Sequence, residues 1–214
     1  MGESLSKAII FDFDGTLVDS ENAIYQCFQS ITKDIAPERE SFAKNILIGP
    51  PLRETASEIL GIDHQDKLDK FVNLFIEMHD EKAIQHSQPY PDVANVLLTL
   101  YSNNVLMAVA TNKRQVPTIK LIKYFGWLDY FELIECNDSH EIVRDKCKMI
   151  KHIKSSNKRF ENAYFVGDTI NDGISANLNN LRFIKVEYGY GSNQNWKNIL
   201  IHKSINSITD LNKI

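Results

Sequence analysis

Apolar and polar positions follow two different rhythms along the chain, and the change between them divides it. Ile9-Ile10-Phe11 lies in a short run over 7–13 that is rich in Ile and Phe and too short for a helix, which predicts a buried strand. From Ser20 to about His86 the spacing becomes helical: Ile24, Cys27, Phe28 and Ile31 form one apolar face, and Phe71, Leu74, Phe75 and Met78 form another. Pro37 and Gly49-Pro50-Pro51 break this region into short helices, and no strand pattern is evident in it. Gln88-Pro89-Tyr90-Pro91-Asp92 reads as a rigid turn, followed by an amphipathic helix carrying Val93, Val96, Leu97 and Leu100.

From there strands and helices alternate. Strands are predicted over 105–110, 131–134, 163–166 and 183–186. Helices carry Ile119, Leu121, Ile122 and Phe125, with Pro117 in the first turn and Gly126 as the stop, and then Cys147, Met149, Ile150 and Ile153 over about 145–154. A further helix follows Gly167-Asp168, and a short terminal helix is expected over 204–214. Such alternation is the pattern of a doubly wound, Rossmann-like parallel sheet covered on both faces. The expected organisation is an α/β core of residues 1–19 and 87–214 with a small helical cap, 20–86, inserted after the first strand.

Composition narrows the class. The 214 residues are 43% hydrophobic and 24% charged, which suits a folded core rather than disorder. A net charge of −4 leaves no global basic footprint, so nucleic acid is not the expected partner. Cys27, Cys136 and Cys147 are sparse and odd in number, which suits reduced thiols in a cytoplasmic protein rather than a disulfide framework. No apolar run approaches the roughly 20 residues of a membrane span, and no apolar signal region precedes the first strand. Gly2 and Ser6 formally fit a myristoylation pattern, for which a polar tail is the plainer reading.

The chemistry collects where strands end. Asp12-Phe13-Asp14-Gly15-Thr16, Thr111-Asn112, Lys146 and Gly167-Asp168-Thr169-Ile170-Asn171-Asp172 all fall at predicted strand ends or the helix starts after them, and in a doubly wound sheet those ends converge on one face. Buried carboxylates are costly without a partner, so two acids at the exit of a buried strand call for a ligand. Acids, a hydroxyl and an amine together suit a phosphate ester beside Mg2+, which takes oxygen ligands such as Asp12 and Asp168. A carboxylate in that setting can be a covalent nucleophile. Lys146, Thr111 and backbone N–H groups can stabilise phosphoryl charge. Asp14 stands where it can protonate a leaving alkoxide and then activate water.

The pattern resembles the haloacid dehalogenase-like superfamily of hydrolases, among its phosphatases with a small helical cap. Phe11-Asp12-Phe13-Asp14-Gly15-Thr16-Leu17-Val18-Asp19-Ser20 is similar to the family's first motif, Ala110-Thr111-Asn112-Lys113 to its second, and Gly167–Asp172 to its fourth. Ile48–Thr55 and Tyr188–Ser192 look like phosphoglycolate phosphatase-type members. The resemblance implies Asp12 as nucleophile, Asp14 as general acid/base, Thr111 as a phosphoryl ligand and Lys146 as charge stabiliser. It further implies Asp12, Asp168 and the backbone carbonyl of Asp14 as Mg2+ ligands, with Asp172 orienting the metal's water shell. The third motif is often Lys-Pro and is here Lys146-Cys147, with Lys148 as fallback. Gly173 stands where an apolar residue is expected, and Asn179-Asn180 where Ala-Gly is usual.

Each candidate also has a plainer reading. Asp168 and Asp172 could cap a helix, Thr111 could be an N-cap, and Lys146 could be a solvated charge in a basic run. Asn112 and Lys113 are candidate substrate contacts. Arg53 could reach down from the cap to substrate or form a surface ion pair. The expected activity is Mg2+-dependent hydrolysis of a small phosphorylated metabolite (phosphoglycolate, a nucleotide or a sugar phosphate) by a monomer or homodimer. Competing readings are a sugar phosphomutase or pyrophosphatase of the same superfamily, or a binding protein without catalysis on this fold. A dehalogenase has no need of Asp14, and a phosphonate-cleaving enzyme needs a Schiff-base lysine, for which none of Lys33, Lys44, Lys67, Lys70 and Lys82 has a persuasive context.

Overall fold

The computed structural model describes residues 8–213, without the side chains of residues 81–83 and 213. The Gly2–Ser6 pattern lies outside the described residues. Strands β1 (Ala8–Phe11), β4 (Leu106–Thr111), β5 (Leu133–Cys136), β6 (Tyr164–Gly167), β7 (Arg182–Val186) and β8 (Lys203–Ile205) form one sheet in the order β5-β4-β1-β6-β7-β8. Every pairing in it is parallel. The central strand β1 shows why its sequence is apolar without interruption. Ile9 and Phe11 face one buried layer, with Val96 and Leu97 of helix α5 (Val93–Ser102) and Leu121 and Ile122 of α6 (Gln115–Tyr124). Ala8 and Ile10 face the other, with Met149, Ile150 and Ile153 of α7 (Lys146–Ser156) and Ala176 of α8 (Ile170–Leu178). Successive side chains point to opposite faces, and both faces are covered.

The remaining helices pack by themselves. α1 (Glu21–Ile35), α2 (Glu40–Ala43), α3 (Leu52–Leu60) and α4 (Leu68–His86) enclose a separate apolar cluster that includes Phe28, Ile31, Ile59 and Phe71. Their chain leaves the core through β2 (Val18–Asp19) and returns through β3 (Gln88–Pro89), and these two short strands pair antiparallel, Val18 with Pro89 and Asp19 with Gln88. The proline at 89 confines that ribbon to a short edge.

Three expectations are corrected. The strand expected over 131–134 sits at Leu133–Cys136. The β2–β3 ribbon was not legible, because two residues per strand carry no alternation. The terminal segment expected as helix from 204 begins as β8, which pairs with β7 at the sheet edge, and a 3-10 helix follows at Ile208–Lys213. No helix among the described residues is long and apolar enough to cross a membrane.

Candidate active site

Three neighbouring strands, β4, β1 and β6, aim their carboxyl ends at one point. Phe11 pairs with Val109 on one side and Val166 on the other, so Asp12 emerges between Thr111 and Asp168. Asp12 N donates to the Val166 carbonyl at 2.9 Å, which carries the ladder one residue past the strand. The chain then turns sharply: the Phe13 carbonyl accepts from the N–H groups of Leu17 (2.9 Å) and Val18 (3.0 Å). Gly15 makes that turn possible, with φ +82 and no room for a side chain, since a Cβ there would lie 2.4 Å from Asp168 Oδ2.

The acids are buried and share one cation. Asp12, Asp168 and Asp172 each offer a carboxylate oxygen within 4.8 Å of the others. Lys146 Nζ, 2% exposed, lies 2.9 Å from Asp12 Oδ1 and 2.5 Å from Asp172 Oδ1. Burial opposes the Lys146 charge, but Asp12 and Asp172 outweigh it and hold the ammonium charged. Burial, then the nearby Asp172, push the Asp12 carboxyl up to about 7 against the pull of Lys146. Burial, Asp172 and Asp12 push Asp168 up as well. Three carboxylates against one ammonium leave an excess of negative charge in a dry site, and a divalent cation among the oxygens would balance it. The surroundings of Asp168 fit that reading. Its Oδ1 accepts from the Thr16 hydroxyl at 3.1 Å and its Oδ2 from Tyr190 N at 2.7 Å, while a Cβ at Gly189 would fall 2.2 Å from Asp168 Cβ. The hard oxygen donors suit a hard divalent cation.

Asp172 is a hub as well as a member of the cluster. Its Oδ2 accepts from Asp168 N (3.1 Å), Thr169 N (2.8 Å) and the Thr169 hydroxyl (2.7 Å), completing a capping box at the start of α8. The helix-cap reading and the acid-cluster reading therefore both hold for it. Lys148 does not join the cluster: its side chain is 66% exposed and pairs with Asp145.

Asp14 faces the neighbouring cavity. The Ser20 hydroxyl donates to its Oδ1 at 2.6 Å and Lys113 Nζ to its Oδ2 at 3.1 Å. Ser20 is held in turn by Tyr190, whose hydroxyl accepts from Ser20 N at 2.9 Å. The cavity lies between core and cap, lined by Asp12, Asp14, Thr111, Asn112 and Lys113 on one side and by α1, α3 and α4 on the other. Asn112 Nδ2 donates to the Gly49 carbonyl at 2.8 Å, and Arg114 makes two bonds of 3.1 and 3.0 Å to Asp80 of α4. Both contacts draw the cap onto the core.

Arg53 is the candidate that stays outside. It pairs with Asp69 at 2.7 Å, is 61% exposed and does not line the cavity. Its place near the start of α3 turns it along the surface of the helical cap, where its partner is Asp69. Ser20, His79, Asp80 and Arg114 were missed as site residues. Ser20 closes the first motif, and nothing in the spacing tied it to Asp14. Among the described residues a second cluster, Glu135, His140 and His152, also gathers ligand-type atoms within 4.8 Å. Arg144 lies 3.5 Å from the same Glu135 carboxylate, which makes the cluster an ion-pair network with its own cation.

Residues 9–186 match the sequence profile of the haloacid dehalogenase-like hydrolases. The chain belongs to that family. It is 28% identical over 167 residues to a phosphoglycolate phosphatase of Aquifex aeolicus, covering 76% of each chain. It is 25% identical to a 5'-nucleotidase of Pseudomonas aeruginosa, covering 86% of this chain and 84% of that one. A solved structure described as a predicted phosphatase from Clostridium acetobutylicum superposes with a TM-score of 0.82 at 27% identity, covering 98% of both chains. The family match, together with relatives that include a phosphoglycolate phosphatase and a 5'-nucleotidase, supports a phosphatase.

Proposed function

We propose that this protein is a Mg2+-dependent phosphatase of small phosphate monoesters that works through a phospho-Asp12 intermediate. The observation that carries the reading is the placing of Lys146 Nζ 2.9 Å from Asp12 Oδ1, with Asp14 on the wall of the same cavity and held by Ser20 and Lys113. The relatives' phosphatase activities support it.

Lys146 pins one oxygen of Asp12 and leaves the other to attack phosphorus. As that bond forms, the bond from phosphorus to the ester oxygen breaks, and Asp14 gives its proton to the departing alkoxide. Water then attacks the acyl phosphate, Asp14 takes the proton back, and inorganic phosphate and free Asp12 result. Thr111, buried at the end of β4, and Lys113 are the donors for the phosphoryl oxygens on the cavity side. Lys113 bridges Asp14 and the cavity, so it links substrate charge to the acid. Asp12 and Asp168, with the Asp14 carbonyl that the family uses, would hold Mg2+, and Asp172 would orient its water. Bound there, the cation supplies charge neutralisation for the dianionic phosphoryl group. The cap contacts of Asn112 and Arg114 exclude bulk water from the reacting atoms.

Phosphate release from p-nitrophenyl phosphate, with Mg2+ and with EDTA, tests the reading. Turnover that requires Mg2+ and disappears in Asp12→Asn is expected. Turnover that survives Asp12→Asn would sink the covalent mechanism.

A further inference from the structure

The half of the cavity that receives the leaving group differs in chemistry from the half that holds the phosphate. Its wall is made by Ile24 and Phe28 of α1, Ile48 and Leu52 around the start of α3, Phe75 of α4, and Pro117 of α6. The aromatic members pack against one another: Phe28 and Phe75 are tilted with ring centroids 4.7 Å apart, and Phe75 and His79 stack at 5.2 Å.

The charged side chains on this wall are already paired. Among the described residues, each cation that lines the cavity faces a carboxylate: Lys113 pairs with Asp14, and Arg114 with Asp80 and, at 3.6 Å, with Asp138. Arg53, the further cation considered for substrate, pairs with Asp69 outside the cavity. Asn112 spends an amide hydrogen on the Gly49 carbonyl, and Thr55 donates to Pro51 at 3.4 Å. Burial, then Lys113 and Arg114, keep His79 neutral, and it lies 3.5 Å from Lys113 Nζ. A leaving group bearing a carboxylate would therefore enter an apolar wall on which, among the described residues, no cation is reserved for it, and an unpaired carboxylate in such a place is strongly disfavoured. An uncharged aliphatic or planar group would instead bury its own apolar surface against that wall.

We infer that the substrate is a phosphate monoester of an uncharged alcohol with an apolar or aromatic body, and not a phosphorylated small acid such as the one named for several relatives. Leu52 and Phe75 set this preference. The inference rests on the phosphatase reading for its phosphate end, and the wall by itself carries the specificity.

The test compares wild-type protein with Mg2+ on two substrates, benzyl phosphate and 2-phosphoglycolate. Their non-hydrolysable counterparts, 2-phenylethylphosphonate and 3-phosphonopropionate, are compared by calorimetry. kcat/KM for benzyl phosphate at least ten-fold above that for 2-phosphoglycolate is expected, with the same order in Kd for the phosphonates. Leu52→Lys, which places an ammonium on the wall, should narrow or reverse both ratios. Equal or better use of 2-phosphoglycolate, tighter binding of 3-phosphonopropionate, or binding of neither phosphonate overturns the inference. Release of p-nitrophenol separates the two claims. If it occurs and the acid is preferred, the wall has been misread and the phosphatase stands. If it fails while 2-phenylethylphosphonate is still preferred, the phosphatase reading falls and the specificity of the wall stands.

Discussion

The hydroxyl of Ser20 donates to Asp14 Oδ1 across 2.6 Å, and the same serine's backbone N–H is held by Tyr190. A residue at the root of the cap thus aims the group proposed to protonate the leaving oxygen. Ser20→Ala should lower kcat by roughly ten- to a hundred-fold, the worth of one hydrogen bond to a charged group, with a smaller change in KM. Steady-state kinetics with a thermal melt checks it. A fall in kcat that merely tracks lost folded protein would remove the positioning role.

Lys146 and Asp12 should separate function from stability. Asp12→Asn removes the nucleophile and one of the crowded charges, so activity should fall by roughly three orders of magnitude or more while the fold is kept. Lys146→Met leaves Asp12, Asp168 and Asp172 buried without their cation. That should cost about 3–5 kcal/mol of stability, the scale for stripping one partner from a buried charge network. Urea unfolding of both variants gives the comparison.

The pH dependence of metal-free protein follows from Asp12, whose carboxyl is raised from 3.8 to about 7. A raised acid binds its proton more tightly folded than unfolded, so stability is greatest below the unfolded value and falls as pH rises from about 4 to about 7. In EDTA the Tm should decline across that window, less so in Asp12→Asn. Added Mg2+ should raise Tm more at pH 8 than at pH 5, because protons compete for the same oxygens. A Mg2+ response independent of pH would contradict this.

Gly15 is the position where backbone and site meet. A methyl group there would sit 2.4 Å from Asp168 Oδ2 at a φ of +82. Gly15→Ala should cost about 1–3 kcal/mol through the strained backbone and displace Asp168. Weaker Mg2+ activation together with a lower Tm is expected, measured by metal titration of activity and by calorimetry.

Gly173 answers a departure noted in the sequence. A Cβ there would lie 2.4 Å from Ile199 Cγ2, so the C-terminal segment occupies the space that an apolar side chain at this position would need. Gly173→Leu should destabilise by about 1–3 kcal/mol through overpacking, and the added Ile199→Ala should recover part of it in a denaturant melt. Asn180 answers another: it takes φ 56 just after α8, a left-handed position that asparagine tolerates better than most residues other than glycine.

The sequence by itself determined the sheet class, the central strand β1 and the acids that follow it. Period-two and period-3.6 patterns are local, and β1 is apolar at every position because both of its faces are buried. Asp12, Asp14, Thr111, Lys146 and Asp168 were legible because strand ends of a parallel sheet converge. Tertiary structure alone decided what each side chain meets. Ser20 and Tyr190 meet across 170 positions, and Asn112 and Gly49 across 63. The cap's fold turned Arg53 toward Asp69 and away from the cavity. β8 exists because β7 offers it an edge, a contact between strands that no period within residues 203–205 records. Local pattern reports which face of an element is buried, whereas the partner across a cavity depends on how separate elements pack, and that is written in no single stretch of the chain.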